Sequence, residues 1–137
     1  MSARIVPFFI VALIATVVSG QDANKELDEL QGVWVMSSRE VNGKPYDNTR
    51  FKLTIKGDQW KVTRPDDDVA VKLETIKIDP SKSPKTIDLG NWPGIYKLEG
   101  DTLTLCRSAY VTNAARPKEF SSLNLNEIVV WKRAEKK

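Results

Sequence analysis

The chain has 137 residues, with 21 Lys and Arg against 18 Asp and Glu, one cysteine and no histidine. That length supports one domain with one core, and the net charge of +3, with both signs interspersed, lacks the concentrated basic face of a nucleic-acid binder. Without histidine there is no Ser-His-Asp or Cys-His chemistry and no imidazole metal site, and the single Cys106 excludes an internal disulfide and argues against thiolate zinc.

The first twenty residues carry one charge, Arg4, followed by a nearly all-apolar run from Ile5 to Val18 and then Ser19 and Gly20. This is the pattern of a secretory signal peptide, and cleavage is expected after Gly20, leaving residues 21–137 as the mature domain. Without Arg4 the net charge of +3 falls to +2. The apolar run is short for a bilayer span of about 20 residues, and no cysteine follows it to carry a lipid. The expected location is periplasmic or extracellular, with no stable membrane span after cleavage.

Gln21 to Gln31 predicts a short helix. Asp22 or Asn24 can cap it, Leu27 and Leu30 share one face, and Gly32 can end it. Glu26, Asp28 and Glu29 read as a solvated face rather than acid/base groups. Val33 to Val41 is extended up to the turn Val41-Asn42-Gly43-Lys44-Pro45. Phe51, Leu53 and Ile55 then alternate with polar residues, and after Gly57-Asp58 so do Trp60 and Val62, which predicts a hairpin with its apolar side inward.

Pro65-Asp66-Asp67-Asp68 reads as a solvated turn, since a calcium loop needs spaced ligands, a glycine and a distal acid. Val69, Val71 and Leu73 share one parity and Ile76 and Ile78 the other, so a bulge near Glu74 and Thr75 or a change of facing is expected. Asp79 to Lys85 is a polar loop with no serine placed for a Ser-Lys nucleophile, and Thr86 to Leu89 is a short strand. Asn91-Trp92-Pro93-Gly94 predicts a turn carrying an aromatic that either packs or touches a ligand. Ile95 to Leu98 and Thr102 to Cys106 form a further hairpin, with Leu103 and Leu105 inward and Cys106 of opposite parity. Ser108 to Leu123 has no clear period and contains Arg116, a candidate anion contact for which a surface salt bridge or a backbone contact is the explanation that assumes less. Ile128 to Arg133 is the final strand.

About eight closely spaced strands after one short helix predict an all-β domain, an antiparallel up-and-down barrel whose closure removes exposed edges. Eight strands enclose either a packed interior or room for one small ligand.

Gly32-Val33-Trp34 after a short helix resembles the opening motif of lipocalins, in which a tryptophan closes one end of the barrel beneath an arginine near the last strand. The resemblance makes Trp34 and Arg133 the closure pair. From about Leu27 to Arg133 the chain is similar to a family of short, exported, lipocalin-like proteins of unknown function found in planctomycete bacteria. The motifs are Leu30-Gln31-Gly32-Val33-Trp34, the Val41 to Pro45 turn, Asp79 to Leu89, Gly94-Ile95-Tyr96, Gly100 to Cys106, Arg116-Pro117 and Phe120-Ser121-Ser122. That family implies a barrel and export, and supplies no active site.

Two functions from different classes are expected. One is a non-catalytic binding protein that holds a small apolar or amphipathic ligand, with Phe51, Trp60, Trp92, Tyr96 and Arg116 as candidate contacts and no metal or cofactor. The other is an envelope or extracellular interaction module with a solid barrel, contacting a protein partner through Trp92 and the Arg116 to Phe120 loop. Enzyme chemistry would need two acids converging in a cleft.

Overall fold

The structure, a computed structural model, describes residues 20–46 and 50–134. All of the expected signal peptide except Gly20 lies outside the described residues, as do residues 47–49 and 135–137. Among the described residues, no helix is long and apolar enough to cross a membrane.

Helix α1 (Gly20–Leu30) leads into β1 (Gly32–Val41), β2 (Lys44–Tyr46), β3 (Lys52–Lys56), β4 (Gln59–Thr63), β5 (Ala70–Asp79), β6 (Lys85–Leu89), β7 (Trp92–Glu99), β8 (Thr102–Ser108) and β9 (Asn126–Arg133). Each strand from β3 to β9 pairs with the next, β1 pairs with β3, and β9 returns to β1 from Trp34↔Arg133 to Val41↔Glu127. The result is a closed, antiparallel, lipocalin-like barrel of eight strands. β2 is a short addition that pairs with the upper part of β1, beyond Val35↔Lys52 where β3 parts from it.

One end of the barrel is sealed by α1. Leu30 is buried, Leu27 packs against the core, and Trp34 beneath them is 0% exposed. The last turn of a helix leaves carbonyls without intrahelical partners, and here barrel side chains supply the donors. Trp34 Nε1 donates to the Leu30 carbonyl at 2.9 Å, and Arg133 donates from Nη1 to Gln31 O at 2.9 Å and from Nη2 to Glu29 O at 2.7 Å. The guanidinium carbon of Arg133 stands 4.2 Å from the Trp34 ring centroid, a cation–π stack, and its Nε reaches Asp101 at 3.1 Å.

The interior above this seal holds Leu53, Ile55, Trp60, Val62, Ile76, Ile87, Leu89, Leu103, Leu105, Val129 and Trp131. Strand β5 departs from the expected facing. Its pairing with β4 runs unbroken from Gln59↔Thr75 to Val62↔Lys72, and the shift falls between Val62 and Thr63 instead of near Glu74. Directly opposed residues share a face, so burying Trp60 and Val62 turns their partners Glu74 and Lys72 inward. Val69, Val71 and Leu73 are left exposed, Leu73 to 63%. The expected turn at Asn91 to Gly94 is also tighter than its sequence implied. Leu89 pairs with Trp92, so only Gly90 and Asn91 form the connection and Trp92 already belongs to β7.

The irregular segment between β8 and β9 crosses the outer face of the barrel. Arg116 Nη1 donates to the carbonyls of Ile87 at 3.1 Å and Gly94 at 2.7 Å, its Nη2 meets Asp88 at 2.7 Å, and the Asn113 amide donates to Asn91 O at 2.7 Å. Beneath this strap, Ile95 and Cys106 are buried although their parity points outward.

Replacing Arg133 with Ala removes the stack and uncovers two helix-end carbonyls at once, so a loss of about 2–4 kcal/mol is expected in denaturant unfolding. Arg133→Lys should recover little of it, because an ammonium cannot bridge both carbonyls while lying flat on the indole.

Candidate functional site

The end of the barrel opposite α1 is not filled. A cavity of about 260 Å³ opens there, lined at depth by Met36, Phe51, Trp60, Val62, Leu105, Val129 and Trp131 and at the rim by Arg39, Val71, Lys72, Arg107 and Glu127. Trp60 and Trp131 meet edge to face at a centroid separation of 6.2 Å, which stiffens the floor. Two buried polar atoms, Thr63 Oγ1 and Trp131 Nε1, have no hydrogen-bond partner among the described residues.

The rim is a chain of ion pairs that continues the strand alternation upward. On β8, Leu103 and Leu105 are followed at the same parity by Arg107. On β9, Trp131 and Val129 are followed by Glu127. Arg107 is 3% exposed and Glu127 4%. Arg107 Nε donates to Glu127 Oε1 at 3.3 Å and its Nη1 to Glu74 at 3.3 Å, while Arg39 holds Glu127 Oε2 from Nε at 3.0 Å and Nη2 at 2.9 Å. Arg107 also lies over Trp92, 5.0 Å from the ring centroid, and Lys72 Nζ stands 5.4 Å from the same centroid.

Gly94 makes this packing possible. It pairs with Arg107, and a Cβ there would come 2.9 Å from the Cys106 carbonyl and 3.2 Å from Arg107 Cβ. Lost hydration, followed by the repulsion of Arg107, holds the Lys72 ammonium below the usual lysine pKa.

Of the candidates expected from sequence, Phe51 and Trp60 line the cavity and Trp92 lies under its rim cations. Tyr96 does not join them. It is buried towards the α1 end, where its hydroxyl donates to Glu26 Oε1 at 3.1 Å beside Lys85 Nζ at 2.6 Å. Arg116 lies on the outer face, with the strap contacts already described. Arg39, Lys72, Glu74, Arg107 and Glu127 were not among the expected site residues. Two acids, Glu74 and Glu127, do converge, but both accept from Arg107, and Glu127 also accepts from Arg39. Two of the three aspartates at 66–68 are likewise in use locally, with Asp67 accepting from Arg64 and Asp68 from Lys52. Among the described residues no group of three or more metal-ligating side chains forms.

Replacing Arg107 with Met would leave Glu74 and Glu127 facing each other without their shared cation. Breaking a buried pair from one side costs about 3–5 kcal/mol, and a loss of that size is expected in urea unfolding, with a smaller one for the more exposed Arg39→Met.

Burial, and then the Glu26 charge, push the Tyr96 phenol far above its ordinary value. Below about pH 10 tyrosine is neutral in the folded and unfolded chain alike. At higher pH the unfolded chain loses the Tyr96 proton while the folded barrel keeps it, so stability falls as pH rises. Denaturant unfolding at pH 8 and pH 11 should therefore show a shallower alkaline loss for Tyr96→Phe than for the native chain.

Comparison with family models, with curated proteins and with solved structures finds no match for the chain.

Proposed function

We propose that this protein is an exported, non-catalytic binding protein that holds one small apolar or amphipathic molecule in the open end of its barrel. The observation that carries this reading is the cavity of about 260 Å³ with an aromatic and aliphatic floor beneath a charged rim. Small-molecule sites are concave, mostly apolar and fixed by a few polar groups, and this one has that composition. Its volume lies just below the usual range of about 300–1,000 Å³, which favours a ligand of modest size over a sterol or a tetrapyrrole. At about 30 Å³ per water, it has room for about nine water-sized groups. Export rests on the N-terminal sequence pattern, and kinship with the planctomycete lipocalin-like family rests on the motifs quoted above.

A second reading, a protein-interaction module, draws support from exposed Val111, Leu123 and Leu125, which line one open groove along the strap itself, with Tyr110 also exposed. The guanidinium of Arg116 is occupied in holding the strap to β6 and β7.

A series of neutral straight-chain alcohols separates the two readings. Each buried methylene contributes about 0.8 kcal/mol, roughly fourfold in affinity. Calorimetry should show one site per chain, with affinity climbing at each added carbon and levelling off at about eight to nine carbons, where the cavity is full. Leu105→Trp should fill the space and abolish binding while the far-ultraviolet circular dichroism stays that of a barrel. Absence of saturable binding across the series would favour the interaction module.

A further inference from the structure

We infer that the cavity selects an amphipathic monoanion, an acyl chain of about eight carbons ending in a single carboxylate, with its head at Lys72 and its tail against Phe51, Trp60 and Trp131. This rests on the cavity being a ligand site.

Charge pairing at the rim carries the inference. Glu127 is shared by Arg39 and Arg107, and Glu74 is held by Arg107. Lys72 belongs to the same group of charges, yet among the described residues its ammonium makes no ion pair or hydrogen bond, only the contact with the Trp92 ring. Three cations therefore meet two carboxylates, leaving one positive charge uncompensated at the mouth of an apolar space. Much of the residue is open to solvent, but Lys72 lines the cavity and sits opposite the buried Val62, so its charge faces whatever enters. Arg107 and Arg39 depress its pKa after lost hydration does, while Glu127 and Glu74 oppose them without pairing with it.

A cation at the mouth of a poorly hydrated space is costly unless an anion compensates it. A carboxylate head meets that need once. A neutral head leaves the ammonium as it was, a cationic head is repelled by Lys72, Arg39 and Arg107, and a second negative charge meets Glu127 and Glu74. The registry that turns Lys72 inward therefore also sets the sign of the guest.

The test compares octanoate, 1-octanol and octylamine by isothermal calorimetry on the purified chain, native and as Lys72→Met, which keeps an unbranched stem and removes the charge. Octanoate should bind about tenfold or more tightly than octanol, octylamine more weakly than either, and added salt should weaken octanoate alone. Lys72→Met should remove the advantage of octanoate, so that octanoate and octanol bind that variant alike, whereas Lys61→Met, on the outer side of β4, should leave the native difference between them intact. Equal binding of octanoate and octanol by the native chain, or an advantage that survives Lys72→Met, would overturn the head-group assignment while leaving the cavity reading intact. Failure of all three to bind would remove the cavity reading and this inference together.

Discussion

Trp34 is where the helix, the first strand and the last strand become one structure. Its indole N–H satisfies a carbonyl of the terminal helical turn, its ring is covered by Arg133 of β9, and Arg133 in turn caps two more carbonyls near the helix end. A barrel of eight short strands needs its ends tied, because each ladder alone contributes little and the closing β1–β9 pairing is also the most distant in sequence. Here the tie comes from one cation lying on one indole, and the apolar interior is stacked above it.

Interior chemistry follows from a competition that Trp60 and Val62 of β4, with Ile76 of β5, won over Val71 and Leu73. Trp60 and Val62 bury more apolar surface than Val71 and Leu73 could, and cross-strand pairing lets only one of these sets choose the register. Lys72 and Glu74 are carried inward as a consequence, where they meet Arg107 and Glu127 from strands that had followed their own alternation to the rim. Buried ion pairs of this kind add little net stability compared with apolar residues of the same volume. A network placed around the mouth of a cavity has a clearer use in orientation and sign than in holding the fold together.

Much of the architecture was legible because its determinants are local. Period-two alternation in Phe51 to Ile55, Trp60 to Val62 and Leu103 to Leu105, the Asn42-Gly43 turn and the helix end at Gly32 each act over a few residues, and together they imply an up-and-down barrel. The rim was less legible. Leu103 and Leu105 extend to Arg107, and Val129 and Trp131 extend back to Glu127, so two opposite charges at inward positions of neighbouring strands were present in the sequence as a signal. Arg39 was hidden by the irregularity between Met36 and Ser38, which shifts the parity of β1. Lys72 and Glu74 depended on a register set by Trp60 and Val62 of β4 together with Ile76 of β5, against Val71 and Leu73. Tyr96 looked like a ligand contact because an aromatic is versatile, and only the three-dimensional arrangement shows that it secures the helix, whereas the salt bridge and backbone contacts expected as the simpler role of Arg116 are the ones that hold the strap.

The strap has a chemical consequence for Cys106. A lone thiol in an oxidising medium ordinarily invites crosslinking between copies, since no second cysteine in the chain can absorb it. Here the sulfur lies against the carbonyls of Ser121 at 3.3 Å and Glu119 at 3.7 Å, and burial pushes its pKa above that of a free cysteine. The thiolate needed for exchange is scarce and has no path to a partner. Covering the outer face of two strands thus leaves a protein with a single sulfhydryl chemically silent, able to persist as separate molecules where an uncovered cysteine would join them in pairs.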